Sequence, residues 1–284
     1  EEGPALVQAG DGSAGAVGQV DHGARGVAGL ASAGVGAAVP HGPLEGGLQL
    51  EALALPLLEY GAVLPFAEAL DFLRAKLNLP TQRWDDLLGA AHDRAFVVAG
   101  AMQADLLEDL RGAVETAIAQ GTTLDAFRKD FERIVAERGW TGWTGEGTKA
   151  GRAWRARVIY DTNLFSSYSA GRFQQLQAVA ADRPFWRYRH SDASVVPRAQ
   201  HVAWDGTILR HDDPWWSAHS PPNGWGCKCY IESLSPRQMK KEGLTTTAPD
   251  EIPYQGIDPK TGAPEGIDRG WDYQPGANRQ ADLV

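Results

Sequence analysis

Cysteine is almost absent from the 284-residue chain, which holds only Cys227 and Cys229. A disulfide between them would close a small, strained ring, so the disulfide framework of small secreted proteins is excluded. No run of 18 or more apolar residues occurs, and the N-terminus lacks the charged-then-apolar pattern of a signal peptide. We therefore expect reduced thiols, a cytosolic setting and no transmembrane helix.

The first 60 residues lack lysine and, before Tyr60, any aromatic residue. Their first 50 positions hold 13 of the 33 glycines. Such a segment cannot offset its ordering entropy by packing, which predicts that residues 1–62 form a disordered, low-complexity extension. It is either a flexible linker or an extension without an evolved fold, for example from a start site assigned too far upstream.

Positive charge is in deficit overall, since the net charge is −9 and the pI is about 5.3. The chain as a whole is therefore not a nucleic-acid coat. Residues 149–189, however, hold eight Lys or Arg against two acids. This excess predicts either a solvated helix face paired with acidic helices or a surface that binds DNA or a partner, with salt-dependent affinity for phosphates. The candidate contact residues are Arg152, Arg155, Arg172, Arg187 and Arg189.

From Pro65 onward, apolar residues recur at helical spacing. The expected helices run from Phe66 to a stop at Asn78–Pro80, from a Thr81 cap to Phe96, through Met102–Ile118 to Gly121, from a Thr122 cap to Gly139, and over Lys149–Ala181. His92 in the second of these is expected to be a core or interface residue. Trp140 and Trp143 are expected to dock on the helices from a loop.

After Pro184 the pattern changes to the alternation of a half-buried strand in Phe185–Arg189. Short strands are also predicted at Thr207–Leu209 and Cys229–Ile231. The fold class is therefore α+β, with a helical region over 63–182 and a small β-rich module over 183–284. Trp271 and Tyr273 are the expected anchors of its irregular tail.

Both cysteines lie at the end of a rigid turn, hereafter the proline–cysteine loop (residues 221–229). Pro-Pro and Asn-Gly cannot continue a helix and favour a turn. Five of the ten tryptophans fall between residues 186 and 225, and Asp205-Gly206 predicts a further turn nearby. The loop reads Pro221, Pro222, Asn223, Gly224, Trp225, Gly226, Cys227, Lys228, Cys229.

Thiolates and imidazoles are natural Zn²⁺ ligands, so Cys227, Cys229 and His201 form a candidate zinc site. His219 is the preferred fourth ligand, with His211 or Asp205 as alternatives. One intervening residue makes Cys-x-Cys a weaker signal than Cys-x-x-Cys. The competing interpretation places the cysteines on a strand, one buried and one exposed, with His201 hydrogen-bonded to a carbonyl.

Two catalytic interpretations also exist. A cysteine with His201 and Asp205 could act as nucleophile, base and orienting group. The four histidines of the β-rich module, with nearby aspartates, could instead suggest a metal-dependent nuclease. No glycine-rich phosphate loop or metal-hydrolase motif supports either one, so we expect a protein that is not an enzyme. The residues of the nuclease interpretation are His190, His201, His211 and His219 with Asp205, Asp212 and Asp213.

The order of motifs resembles the Mu F-like phage head morphogenesis family, the minor head proteins of tailed phages and prophages. The resemblance covers about Phe66–Gly276, and the proline–cysteine loop is its most specific part. The other motifs that carry it are Tyr160-Asp161-Thr162-Asn163, Ala170-Gly171-Arg172, Arg183-Pro184-Phe185-Trp186-Arg187-Tyr188, His201 with Asp205-Gly206, Asp213-Pro214-Trp215-Trp216 and Gly270-Trp271-Asp272-Tyr273-Gln274-Pro275-Gly276.

The resemblance implies a low-copy internal head component that associates with the portal and other head proteins during procapsid assembly and is packaged with, or contacts, the DNA. It implies a location in the host cytoplasm during assembly and then inside the virion head. Neither a membrane nor a small-molecule substrate is expected as a partner.

Overall fold

A computed structural model describes residues 66–194 and 197–278, which belong to one compact unit. The predicted N-terminal extension, residues 1–62, lies outside the described residues. None of the described helices is long and apolar enough to cross a membrane. Helices and two small sheets make up the described fold, which confirms the α+β class.

Four helices form the N-terminal part: α1 (Ala67–Arg74), α2 (Ala104–Gln120), α3 (Leu124–Arg138) and α4 (Lys149–Ala178). The glycine stops are confirmed, since Gly121 and Gly139 end α2 and α3 in the left-handed conformation, with φ of 66° and 61°. The cap of α3 is Thr123, one residue later than predicted, and its hydroxyl accepts the amide of Ala126.

The prediction of a helix over Thr81–Phe96 is wrong. Asp86 accepts the amides of Gln82 and Arg83 and so holds a turn there, and Gly89 takes a positive φ of 57°. The segment ends in a short 3₁₀ helix, Gly89–Asp93. It is followed by β2 (Ala95–Phe96), which pairs in parallel with β1 (Leu77–Asn78).

The helical core lies between α1, α2, α3 and α4. Trp140 and Trp143 stack with ring centroids 5.4 Å apart and both contact Phe131 edge-on, so the prediction that they dock on the helices is confirmed. His92 is also a packed residue, as expected, with Nε2 3.0 Å from the carbonyl of Leu87. The largest fully buried side chains of this core are Phe96, Phe127, Phe131, Leu73, Leu106, Leu107 and Leu110.

A three-stranded antiparallel sheet follows, with β3 (Phe185–Arg189) between β4 (Ile208–Arg210) and β5 (Tyr230–Leu234). The predicted alternation in β3 is confirmed, because Trp186 and Tyr188 are fully buried while the other three residues of the strand are partly exposed. Three short helices connect these strands and the tail: α5 (Ala199–Ala203), α6 (Trp216–His219) and α7 (Pro236–Glu242).

Trp271 and Tyr273 are buried and anchor the tail, as predicted. Asp93 also holds it, since its carboxylate accepts the amides of Gly276 and Asn278. The division into two domains at residues 182/183 stays a prediction.

Candidate functional site

The proline–cysteine loop is fixed by hydrogen bonds rather than by regular secondary structure. The Pro221–Pro222 peptide is cis. Asn223 is fully buried, and its side-chain oxygen accepts the hydroxyl of Tyr188 on β3 at 3.0 Å. Its backbone oxygen accepts the amide of Asp268 from the tail at 3.0 Å. The loop is therefore held against both the central strand and the tail.

Gly224 is required by an ion pair that crosses the loop. Arg198 donates to Asp268 at 2.7 Å, and a Cβ on residue 224 would overlap both side chains. The same carboxylate accepts the amide of Trp225 at 2.9 Å. Gly226 follows with a φ of +71°, which returns the chain toward the cysteines.

The structure brings together three of the four predicted metal ligands. His201, on α5, is buried with Cys227 and Cys229, and their donor atoms lie within 4.8 Å of one another. His201 Nδ1 is 3.6 Å from Cys227 Sγ and 3.7 Å from Cys229 Sγ. Both cysteines are free thiols, 4% and 8% exposed. The interpretation with one buried and one exposed cysteine is therefore wrong.

The orientation of His201 is set by the tail. Its Nε2 lies 2.8 Å from the carbonyl oxygen of Gly266, which can only accept a hydrogen bond. Nε2 therefore carries the proton, and Nδ1 presents its lone pair to the two sulfurs. The predicted bond from His201 to a carbonyl is confirmed.

The two thiols perturb each other. Hydrogen bonding from Cys227 lowers the pKa of Cys229. That hydrogen bond and burial raise the pKa of Cys227. The cluster thus favours a single thiolate, on Cys229.

His190 is the second histidine at the cysteines, and its Nδ1 lies 3.6 Å from Cys229 Sγ. It follows β3 directly, and its backbone amide donates to Asp205 at 2.8 Å. Sequence reasoning placed His190 only among the nuclease candidates. The signal that could have marked it is its position just past the end of the strand that pairs with β5.

His219, the predicted fourth ligand, is not part of the cluster. It stacks on Trp215 with ring centroids 4.3 Å apart, and its Nδ1 lies 3.0 Å from the carbonyl of the same residue. Burial lowers the pKa of His219 to about 4, so the ring is neutral. The α6 turn therefore places His219 in the aromatic core.

The predicted Cys–His–Asp arrangement is not assembled. Asp205 is bonded to the His190 amide and paired with Arg189 Nε at 3.3 Å, whereas His201 is oriented by Gly266. The other nuclease candidates also lie elsewhere, since Asp212 pairs with Arg210, Asp213 accepts the amide of Trp215 and His211 packs on Trp186.

The cluster opens into a cleft of about 460 Å³ between α4 and the proline–cysteine loop. Asp161, on α4, lines the cleft near Lys228 and Arg157, and burial raises the pKa of its carboxyl. Asn163 is buried on α4 and donates to the Ile159 carbonyl at 2.9 Å. The predicted turn at Asp205-Gly206 is present, with Gly206 at a φ of +86°.

The five predicted contact arginines do not form one free basic face. Arg155 is buried, donates to the Ala99 carbonyl and lies over the Trp140 ring. Arg172 is partly buried, and burial lowers its pKa. The other three pair with acids: Arg152 with Glu132, Arg187 with Glu232 and Arg189 with Asp205.

Sequence reasoning missed a buried lysine next to α1. Lys76 is 4% exposed, with its amine 4.5 Å above the Phe72 ring. Burial lowers the pKa of Lys76 to about 8, and Asp93 acts against this shift. The residue lines a cavity of about 90 Å³.

The fold and the site together define an α+β protein in which a helical part adjoins a tryptophan-rich β module with a buried Cys–His cluster. Residues 108–232 match the family model described as Phage Mu protein F like protein. This match confirms the resemblance drawn from the motifs.

Two curated relatives extend the match. The Mu-like prophage FluMu F protein of Haemophilus influenzae is 38% identical over 191 residues, which cover 64% of this chain and 46% of that protein. The putative capsid assembly protein F of Escherichia phage Mu is 35% identical over 198 residues, which cover 66% of this chain and 44% of that protein. The chain thus spans less than half the length of these relatives. No solved structure matches it significantly.

Proposed function

We propose that this protein acts in phage capsid assembly as a minor head component that associates with the portal in the procapsid. The observation that carries the proposal is the 35% identity over 198 residues to the putative capsid assembly protein F of Escherichia phage Mu. The matched family region includes α4, the sheet and the proline–cysteine loop.

The surface best suited to a head partner lies around the cleft. Trp154 and Trp225 line the cleft and are 49% and 41% exposed. Trp84, 45% exposed, meets Trp225 edge-on with ring centroids 6.2 Å apart. Exposed tryptophans are enriched among the residues that dominate protein–protein binding energy. These three tryptophans, hereafter the tryptophan surface, are the proposed portal contact.

Packaged DNA is a weaker candidate partner for this chain. The acidic net charge opposes a general affinity for DNA. Four of the five candidate arginines have an acid or carbonyl partner within the described residues. A DNA contact would have to break these pairs.

The test is co-expression of the full chain with the portal protein of the same phage, followed by affinity purification and measurement of the dissociation constant. We expect a stable complex. Trp154→Ala and Trp225→Ala should each weaken it by about 30-fold, the effect of losing a hot-spot residue.

Val202→Ala and Ile257→Ala are the matched controls, because both side chains are exposed and apolar but do not line the cleft. Both should leave the affinity unchanged. Thermal melts of all four variants check that the fold survives. Failure of the wild-type chain to bind portal, or binding to duplex DNA alone, would contradict the proposal.

A further inference from the structure

We propose that Cys227, Cys229, His201 and His190 form a zinc site at the base of the cleft. All four residues supply soft or borderline donors, two sulfurs and two imidazole nitrogens, the set that selects Zn²⁺ in tetrahedral sites. Cys227, Cys229 and His201 are buried, and His190 lies at the cleft wall.

Three of the six donor–donor distances of the proposed site match a tetrahedral edge, while His190 lies outside the group of residues 201, 227 and 229, whose donor atoms are all within 4.8 Å of one another. Zn–S bonds of about 2.3 Å and Zn–N bonds of about 2.0–2.1 Å place a sulfur and a nitrogen about 3.6 Å apart along a tetrahedral edge. The structure places His201 Nδ1 3.6 and 3.7 Å from the two sulfurs, and His190 Nδ1 3.6 Å from Cys229 Sγ. All three spacings match the edge expected around one ion.

The hydrogen bonding of His201 points the same way. Its Nδ1 has one lone pair, which can accept one thiol proton, yet two sulfurs lie at nearly equal distance from it. A metal ion between the three atoms satisfies this arrangement. The Nε2 proton is given to the Gly266 carbonyl, which is the outer contact that metal-binding histidines generally make.

His190 is assigned as the fourth ligand because its Nδ1 contacts Cys229 and its ring lines the cleft. Metal binding would require this ring to turn toward the other two ligands, since His190 is outside the group of mutually close donors. His219 is excluded by its packing, since the ring stacks on Trp215 and its Nδ1 faces that residue's carbonyl. The site would join the end of β3, α5, the proline–cysteine loop and, through Gly266, the tail.

The first experiment measures metal directly. The full chain is purified without chelator and analysed by inductively coupled plasma mass spectrometry. We expect about one zinc per chain, the content of a single four-ligand site. Replacement by Co²⁺ should give the visible bands of a tetrahedral site and a thiolate-to-metal charge-transfer band, a readout that needs no variant.

Variants then assign the ligands. Cys227→Ser, Cys229→Ser and His201→Gln should lose the zinc. His190→Ala should weaken zinc binding, in competition with a chromophoric chelator, by at least about 10–100-fold, the loss that even an outer-shell partner causes. His211→Gln and His219→Asn are matched controls and should retain wild-type affinity.

Three outcomes would overturn the proposal. One is less than about a tenth of the metal content expected for a filled site, in both purified and zinc-reconstituted protein. Another is a cobalt spectrum without a charge-transfer band. A third is full zinc affinity in His190→Ala together with lost zinc affinity in His219→Asn, which would make His219 rather than His190 the fourth ligand. If the cysteine variants do not fold, the cobalt spectrum of the wild-type chain and the zinc affinities of His190→Ala and His219→Asn still decide.

Discussion

The imidazole of His219 lies between Trp204 and Trp215, edge-on to the first and stacked on the second. Its Nε2 has no hydrogen-bond partner among the described residues. Protonation would place a charge in this aromatic core, and burial therefore lowers its pKa from 6.5 to about 4. His219 therefore stabilises the folded protein in its neutral form.

This shift predicts how stability depends on pH. The folded pKa is depressed, so the unfolded chain binds the proton first, and the stabilisation is complete above pH 6.5 and lost as pH falls toward 4. The loss through this one residue is at most about 3 kcal/mol. His219→Asn should flatten the dependence between pH 6.5 and 4 in urea unfolding.

Measurements of the same variant at pH 7.5 provide the control, because only the lost ring packing acts there. His92 also has a pKa lowered to about 4 and should leave a residual slope in the variant. An unchanged slope in His219→Asn would contradict the assignment of His219 to the aromatic core.

The candidate site shows what single residues reveal in a sequence. The grouping of Cys227, Cys229 and His201 could be predicted because the chain holds only two cysteines, and tryptophan-rich segments lie near them in the sequence. His190 could not be separated from the other histidines, since nothing local marks which ring faces the sulfurs. His219 was misplaced because a four-residue helix turns it onto Trp215.

At the scale of elements, α1 and α4 approach each other closely at a glycine. A Cβ on Gly171 of α4 would lie 2.8 Å from the Ala69 amide nitrogen and 2.9 Å from the Phe66 ring. Gly112 of α2 is the opposite case, with open space where its Cβ would be. The close packing of α1 and α4 therefore requires a glycine at residue 171, whereas the packing around Gly112 leaves room for a side chain.

Gly171→Ala should destabilise the protein, because overpacking costs about 1–3 kcal/mol and exceeds the gain of up to about 1 kcal/mol in helix propensity. Gly112→Ala is the matched control and should stabilise by up to about 1 kcal/mol. Chemical denaturation measures both. A stabilised Gly171→Ala variant would show that α1 and α4 are not in close contact there.

The helices that the sequence predicted well have both apolar periodicity and glycine stops, as α2 and α3 do. The failure over residues 81–96 arose because apolar spacing alone cannot exclude a turn. There the Asp86 carboxylate competes for backbone amides, and pairing with β1 draws Phe96 into a strand. The strand partner is distant in sequence and invisible to a local pattern.

At the scale of the whole molecule, regional charge was a poor guide to the surface. The excess of basic residues over 149–189 is real, yet folding places most of the candidate arginines against acids or carbonyls. The exposed tryptophans were not predicted, since spacing gave no reason to separate them from the buried ones. The resemblance to the Mu F-like family could be recognised because the motifs that carry it are long and contain rare residues.

The central claim, a role in head assembly, is tested most directly by quantitative mass spectrometry of gradient-purified procapsids and particles from the phage that encodes this chain. We predict peptides from residues 66–276 in procapsids at low copy relative to the major head protein. Deletion of the gene should reduce procapsid yield. Absence of the protein from both procapsids and particles, together with normal procapsid yield after deletion, would contradict the account.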